Sequence, residues 1–457
     1  MSTICAVSTP PGVGGIAVIR ISGEGALAAA GRVFFPFDSD KRVSNMPGYT
    51  CAYGEVRDKT GRTVDDAVLT VFRAPRSYTG EDVCEISCHG GVFVTRKILR
   101  LCIDAGCTPA MAGEFTKRAF LNGKLSLTQA EAVSDMLSAE GDLALSSASL
   151  ARKGRLYAGI KAISDSLIKS LGELAAWVDY PEEDIPEVDE GELLLTLKDD
   201  RAALKKLLRD YDSGMIIKNG VDTVIAGKPN VGKSTLMNLL LGYERSIVTD
   251  IAGTTRDVIE ESVRLGAVTL KISDTAGIHG TDDTVEKMGV ALAKNRLAEC
   301  RLIIAVFDIS QPLDDEDTEL LEYIASLDKK TVIVLNKTDR AQAVDKSGFL
   351  KYSDKIIAIS ASSGEGRDEL SEMIETMFTP EDYNADSTVF ANERQKLCAE
   401  KALGCIEDAI AALEAGLTLD AVTVTVDRAA EHLAELTGEK ASEAVVNEVF
   451  SKFCVGK

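Results

Sequence analysis

No stretch of this 457-residue chain approaches the roughly 18 consecutive apolar residues that a membrane helix requires. The best run, residues 302–307, has the length of a strand. No basic segment precedes the first apolar residues, and Pro10-Pro11-Gly12 soon interrupts them, so no secretory leader is expected and the chain reads as cytoplasmic. Cysteine occurs ten times but never as CxxC. Cys84, Cys88 and His89 come nearest to a metal-ligand cluster. The alternation through residues 82–88 places Cys84 and Cys88 on one strand face with Ile86, which predicts buried thiols rather than zinc and suits a reducing compartment. Positive charge is also short. Lys and Arg number 51 against 72 Asp and Glu, a formal net charge of −21 that disfavours non-specific nucleic-acid binding. The deficit is uneven, because residues 1–120 hold 14 basic and 12 acidic side chains. A polyanion would therefore use local patches on or near that N-terminal part. Residues 179–192 carry eight carboxylates and no base, the composition of a solvated acidic linker.

What remains is ordinary globular composition, 45% hydrophobic and 27% charged, enough for about three domains of roughly 150 residues. Residues 15–21, 67–72 and 83–87 read as strands. The spacing of Val94, Ile98, Leu101, Cys102 and Ala105 predicts a helix over 92–105. Proline is then absent from 110 to 180. There Leu125, Leu127, Ala130, Val133 and Leu137, and later Ile160, Ile163, Leu167, Leu171 and Leu174, recur every three or four residues as in long amphipathic helices. Residues 192–211 continue this pattern, and the proline-free stretch 381–457 repeats it. Neither stretch buries its apolar faces alone, so the two are expected to form one helical domain split by an insertion. The insertion alternates strand and helix. Residues 221–226 form a strand, 234–241 a helix, 258–265 and 268–272 a hairpin through Gly266, and 302–307, 331–335 and 356–359 short apolar strands. This is the pattern of a mostly parallel sheet covered on both faces. The expected architecture is α/β and α: an N-terminal α/β domain over 1–120, a helical domain over 121–216, an inserted P-loop domain over 217–378, and a helical return over 379–457.

Gly227-Lys-Pro-Asn-Val-Gly232-Lys233-Ser234 matches GxxxxGK[ST] after a strand and opening a helix. Backbone N–H groups at a helix N-terminus suit a polyanionic triphosphate, Lys233 reaches its terminal oxygens, and the Ser234 hydroxyl suits Mg²⁺. Three more pieces follow in order. Thr254-Thr255 offers a threonine to the metal and γ-phosphate, and Asp274-Thr275-Ala276-Gly277 follows a strand and sets a carboxylate near the metal. Asn336-Lys337-Thr338-Asp339 follows the strand 331–335, where a carboxylate accepts both the N1 and N2 hydrogens of guanine. Ser360-Ala361 fits the remaining guanine-side loop. Together these point to GTP. The set resembles the translation-factor-like branch of small GTPases. Ile278 stands where the Ras-like pattern has a water-orienting glutamine, so the base must come from elsewhere. Asn230 matches the asparagine that helps bind a monovalent cation in potassium-activated GTPases.

Such a G domain equally suits ribosome-assembly GTPases; the flanks discriminate. Residues 9–23 (Thr-Pro-Pro-Gly-Val-Gly-Gly-Ile-Ala-Val-Ile-Arg20-Ile-Ser-Gly), Ser77-Tyr-Thr-Gly-Glu-Asp-Val-Cys-Glu85, Gly113-Glu-Phe-Thr-Lys-Arg-Ala-Phe-Leu-Asn-Gly-Lys124 and the terminal Phe453-Cys454-Val455-Gly456-Lys457 are similar to the MnmE (TrmE) tRNA-modification GTPase family. Departures are few: Val13 for arginine, Met111-Ala112 for a usual proline, Ser126 for aspartate and Val455 for isoleucine. The resemblance implies a homodimer that acts with the flavoprotein MnmG, in a heterotetramer, to install a carboxymethylaminomethyl group on C5 of the wobble uridine, position 34, of certain tRNAs. It implies a 5-formyl- or methylene-tetrahydrofolate bound at Arg20, Glu85, Lys124 and Lys457. For the nucleotide it implies Asn230, Val231, Gly232, Lys233, Ser234 and Thr235, the segment Thr249, Asp250, Ile251, Ala252, Gly253, Thr254 and Thr255, then residues 274–277, and Asn336, Lys337, Asp339, Ser360 and Ala361. K⁺ ligands fall to Asn230, Thr249, Ile251 and Thr254, Mg²⁺ ligands to Ser234 and Thr255, the general base to Glu286, and a part in the modification reaction to Cys454.

Overall fold

The computed structural model describes residues 2–179, 188–209, 211–242, 260–266, 268–273, 294–344, 346–378 and 390–456. The chain divides into two compact units. One comprises Met1–Ser134, Ala151–Lys205 and Arg394–Lys457; the other comprises Asp135–Leu150 and Lys206–Glu393.

In the first unit, strands β1 (Ile4–Val7), β2 (Ile16–Ser22), β3 (Phe34–Pro36), β4 (Thr50–Arg57), β5 (Thr63–Phe72), β6 (Val83–His89) and β7 (Thr108–Pro109) form one sheet in the order β3-β4-β5-β6-β2-β1-β7. Strand alternation sends Ile19, Ile21, Leu69, Val71, Cys84, Ile86 and Cys88 to one buried face. Helices α1 (Ala26–Val33) and α2 (Val92–Asp104) cover that face with Ala30, Ile98 and Cys102. Cys84 and Cys88 thus share a face with Ile86, as their alternation predicts. Burial pushes the two thiols up to about 12 and about 11, so they stay protonated. Among the described residues no group of His, Cys, Asp and Glu could hold a metal.

After α1 and α2 come α3 (Glu114–Leu121) and α4 (Leu127–Ser138); α5 (Asp142–Arg152) lies mostly in the second unit, and its first residue Asp142 pairs with Arg264 of that unit. Next come α6 (Arg155–Asp179) and α7 (Glu190–Arg209). Beyond the second unit's main segment lie helices at Glu393–Glu414, Leu419–Thr437 and Glu443–Ser451. Leu156, Ile160, Ile163, Leu167 and Leu174 bury one stripe of α6, and Val422, Val426, Ala429, Leu433 and Leu436 bury one stripe of the helix Leu419–Thr437 that packs along it. Each of the leucines, isoleucines and valines among them contributes about 1.5–3 kcal/mol once buried. The two proline-free stretches therefore supply one another's missing apolar surface. A polar seam joins them as well. Arg394 donates to both oxygens of Glu131 at 2.8 and 2.9 Å, and Gln395 donates to the same carboxylate at 2.6 Å.

The second unit has a six-stranded sheet of β8 (Val221–Ala226), β9 (Glu260–Leu265), β10 (Val268–Ser273), β11 (Leu302–Asp308), β12 (Lys330–Asn336) and β13 (Ile356–Ala358), ordered β13-β12-β11-β8-β10-β9. Only the β9–β10 hairpin is antiparallel. Helices α8 (Tyr211–Asn219), α9 (Lys233–Leu241), α10 (Asp315–Ser326) and α11 (Arg367–Phe378) belong to this unit, and apolar clusters fill both faces of the sheet. The helices at Glu393–Glu414, Leu419–Thr437 and Glu443–Ser451 are α12, α13 and α14. The observed class, α/β with an inserted parallel-sheet unit and helices, is the one the periodicities predict.

Removing one partner of the Glu131–Arg394 pair strands a buried charge. Glu131→Leu is expected to cost about 3 kcal/mol or more in urea unfolding, and adding Arg394→Met to recover much of that loss. A double variant no more stable than Glu131→Leu would show that the pair is not what the seam depends on.

Candidate functional site

The loop after β8 is shaped by two glycines with positive φ. Gly227 (φ 148°) and Gly232 (φ 102°) lie so close to neighbouring strands that a Cβ would collide with the Val306 carbonyl and the Asn336 side chain respectively. Between them Asn230 adopts a left-handed φ of 64°. Ser234 and Thr235 stand exposed in the first turn of α9. Their helix N-terminus directs its first N–H groups and the positive end of its dipole outward, which is an anion cradle. The Lys233 ammonium lies across the loop, donating to the carbonyls of Gly227 (2.7 Å) and Lys228 (2.8 Å). A cavity of about 790 Å³ is lined here by Asn230, Gly232, Lys233, Ser234, Thr235 and Lys337 among others.

The ends of β11, β12 and β13 build the second wall. Asn336, buried, donates to the Val231 carbonyl at 2.8 Å and accepts from the Ala361 N–H at 2.9 Å, so one amide ties the phosphate loop to the loop after β13. Lys337 donates to the Asn230 carbonyl at 2.7 Å. Asp339 is exposed and accepts from the buried Ser360 hydroxyl at 2.7 Å. That bond holds the Asp339 carboxyl below its ordinary range, so it is an ionised acceptor at neutral pH. The structure thus brings Asn230, Val231, Gly232, Lys233, Ser234, Thr235, Asn336, Lys337, Asp339, Ser360 and Ala361 to one side of the sheet. Thr249, Asp250, Ile251, Ala252, Gly253, Thr254, Thr255, Asp274, Thr275, Ala276, Gly277 and Glu286 lie outside the described residues, as do Ile278 and Lys457.

Two further ion pairs that the motifs do not name stand beside this loop. Lys228 pairs with Asp314 and, at 2.8 Å, with Asp317, the two carboxylates that cap α10. Asp308, at the end of β11, accepts from Lys337 at 2.6 Å. The signal for Asp308 was an aspartate two residues before Ser310 just after an apolar strand, an Asx-turn pattern with no chemistry attached.

On the N-terminal sheet, Arg20 of β2 lies directly opposite Glu85 of β6 and donates to it at 2.8 Å. The rings of Phe115 and Tyr78 sit 5.6 and 5.8 Å from its guanidinium. The C-terminal tail closes on this place. Val455 bridges Ala112, Gly113 donates to the Cys454 carbonyl at 3.3 Å, and the Gly456 carbonyl accepts from Ser8 (3.1 Å) and Arg20 (3.2 Å). Cys454 is exposed. Lys124, also exposed, donates to the Pro75 carbonyl at 3.1 Å, on the loop that carries Tyr78. Arg20 contacts both Glu85 and the tail, and Lys124 is tied to the loop that carries Tyr78.

Asp339→Asn should lower GTP affinity about 10²-fold, because two charge-assisted hydrogen bonds at roughly 1.5 kcal/mol each are lost, and should favour xanthine nucleotides. Equilibrium binding of fluorescent GTP and XTP analogues checks this; unchanged GTP affinity would exclude Asp339 as the base reader.

Residues 3–124 match the family described as the GTP-binding protein TrmE N-terminus, and residues 127–454 match the MnmE helical domain. The tRNA modification GTPase MnmE of Clostridioides difficile (strain 630) is 42% identical over 458 residues, covering 100% of this chain and 99% of that protein. Its counterpart in Lactobacillus delbrueckii subsp. bulgaricus is also 42% identical, over 100% of this chain and 98% of its own length. That of Carboxydothermus hydrogenoformans is 40% identical, covering 100% and 99%. The match runs through both flanks, which a ribosome-assembly GTPase would not share. The chain therefore belongs to the MnmE family of tRNA modification GTPases.

Proposed function

We propose that this GTP hydrolase of tRNA modification is potassium-activated and works as a homodimer. With the flavoprotein MnmG it would add a carboxymethylaminomethyl group at C5 of wobble uridine 34, drawing one carbon from a tetrahydrofolate derivative. The observation that carries the cation reading is Asn230, held left-handed inside the phosphate loop with its carbonyl clamped by Lys337. That clamp leaves the exposed side-chain amide to offer an oxygen at the mouth of the cavity.

In this reading the loop N–H groups bind the polyphosphate, and Lys233 leaves its two carbonyl partners for the terminal phosphate oxygens. Ser234 and Thr255 hold Mg²⁺; the Asn230 side chain and the backbone of Thr249, Ile251 and Thr254 hold K⁺. Their oxygen donors suit both hard cations. The potassium ion supplies a fixed positive charge where negative charge develops on the phosphate oxygens. Glu286, working through a bridging water, is the general base toward the attacking water, the part that Ile278 does not fill. Asn336, Lys337, Asp339, Ser360 and Ala361 read guanine.

The folate reading rests on Arg20 and Glu85. A charged edge beside two aromatic rings fits a flat heterocycle with hydrogen-bonding edges, and Lys124 and Lys457 suit the glutamyl carboxylates. The folate supplies the one-carbon unit; Arg20 and Glu85 bind and orient it. Cys454, exposed beside the tail contact, is available for the modification reaction. In this reading residues 1–120 form the N-terminal folate-binding and dimerisation domain, 121–216 and 379–457 the two parts of the helical domain, and 217–378 the G domain. No described helix is long and apolar enough to cross a membrane.

Steady-state GTP hydrolysis in matched K⁺ and Na⁺ buffers tests the reading. Turnover should be much faster in K⁺, and Asn230→Ala should erase the difference while keeping nucleotide binding. In the same assay Glu286→Ala should lose about 10²–10⁴ in rate with affinity within a few-fold. Equal rates in the two salts would refute potassium activation, and a Glu286→Ala variant at the parental rate would remove that residue from the mechanism.

A further inference from the structure

Besides the Asn336 amide, the base-reading and phosphate-binding loops are tied by the ammonium of Lys337. Lys337, the residue after β12, has φ 71°, which turns its side chain back across the strand end. Its Nζ lies 2.7 Å from the Asn230 carbonyl and 2.6 Å from Oδ2 of Asp308. Both Asn230 and Lys337 occupy the left-handed region without being glycine, a conformation that persists only where neighbours hold it. Asp308 is the partner of Asn336 in the β11–β12 register, so its carboxylate leaves the sheet at the level where the base loop begins. Its other oxygen, Oδ1, accepts the N–H of Ser310 at 3.0 Å and its hydroxyl at 2.6 Å. That turn fixes the carboxylate plane and aims Oδ2 at the lysine. The side chain is 8% exposed and that of Lys337 20% exposed.

We infer that Asp308 is a positioning residue for nucleotide binding: acting through Lys337, it holds the Asn230 carbonyl and so sets the backbone of the phosphate loop. A lysine on a flexible four-carbon stem, deprived of its carboxylate, turns its ammonium to water rather than to one carbonyl. The loop's strained residue then loses its clamp, and its N–H groups no longer converge. Asp308 is not one of the residues lining the loop's cavity, whereas Asn230 and Lys337 both line it. Its effect on ligand is therefore indirect. Burial works against its charge, yet the hydrogen bonds from Lys337 and Ser310 outweigh it and keep the carboxyl below its ordinary range, so the clamp is intact across neutral pH.

The inference rests on this loop being the phosphate loop of the GTP site, and the experiment separates the two. Equilibrium binding of a fluorescent GDP analogue is measured for the full-length parental chain and for Lys337→Met, Asp308→Asn, Asp308→Glu and the double Asp308→Asn/Lys337→Met, with thermal unfolding alongside. Asp308→Asn should weaken binding about tenfold, and Asp308→Glu, which restores a carboxylate, should recover most of it. In the Lys337→Met background Asp308→Asn should add nothing, since its only route to the loop is already cut. Additive losses, or Asp308→Asn within twofold of the parental affinity while Lys337→Met is impaired, would overturn the role of Asp308. Parental affinity in Lys337→Met would instead refute the loop's assignment. If Asp308→Asn alone fails to fold, the double variant decides: affinity equal to Lys337→Met supports the clamp, and a further loss refutes it.

Discussion

The second unit is organised around one close approach, the backbone of residues 227–232 pressed against the ends of β11 and β12. Side chains are excluded at Gly227 and Gly232 because the Val306 carbonyl and the Asn336 amide occupy the space. Asn336 uses that proximity to bond both Val231 and Ala361, so the phosphate loop and the guanine-side loop share one buried amide. The continuous apolar strands that make this possible, Leu302–Asp308 and Lys330–Asn336, are buried through both faces and pin the loops at fixed height. A parallel sheet places its binding loops at the carboxyl ends of its strands. Here those ends are also where the strained backbone is concentrated, which is a rigid way to present N–H groups to a polyanion.

The first unit solves a different problem. Its sheet has one face closed by α1 and α2 and another carrying the polar row in which Arg20 faces Glu85. The chain's last residues return to that row through Gly456, 436 positions from Arg20. A helical segment that ends on the N-terminal sheet thereby adds a backbone carbonyl to that polar row. The buried seam of Glu131, Arg394 and Gln395 secures the return of the chain after the second unit.

Local chemistry was legible in the sequence where it depends on neighbours in the chain. The alternation around Ile86 placed Cys84 and Cys88 in the core, and the apolar runs located the parallel strands within a residue or two. The reading of β5 began late, at residue 67, because Asp65 and Asp66 conceal its start, although the strand runs from Thr63. Pairings across the chain left no local signal. Arg20 and Glu85 were connected only through family resemblance, and Arg394 with Glu131, 263 residues apart, not at all. Lys337 was readable as part of its motif, whereas the carboxylate that aims it, Asp308, belongs to another strand and emerges only from the β11–β12 register.

The proposed role of this tRNA modification GTPase at the wobble uridine is tested most directly by mass-spectrometric nucleoside analysis of tRNA from cells with the gene deleted and from the same cells carrying it on a plasmid. The account predicts that the C5-aminomethyl-type uridines disappear on deletion, that their unmodified precursor accumulates, and that the plasmid restores them. An unchanged uridine profile after deletion would contradict it.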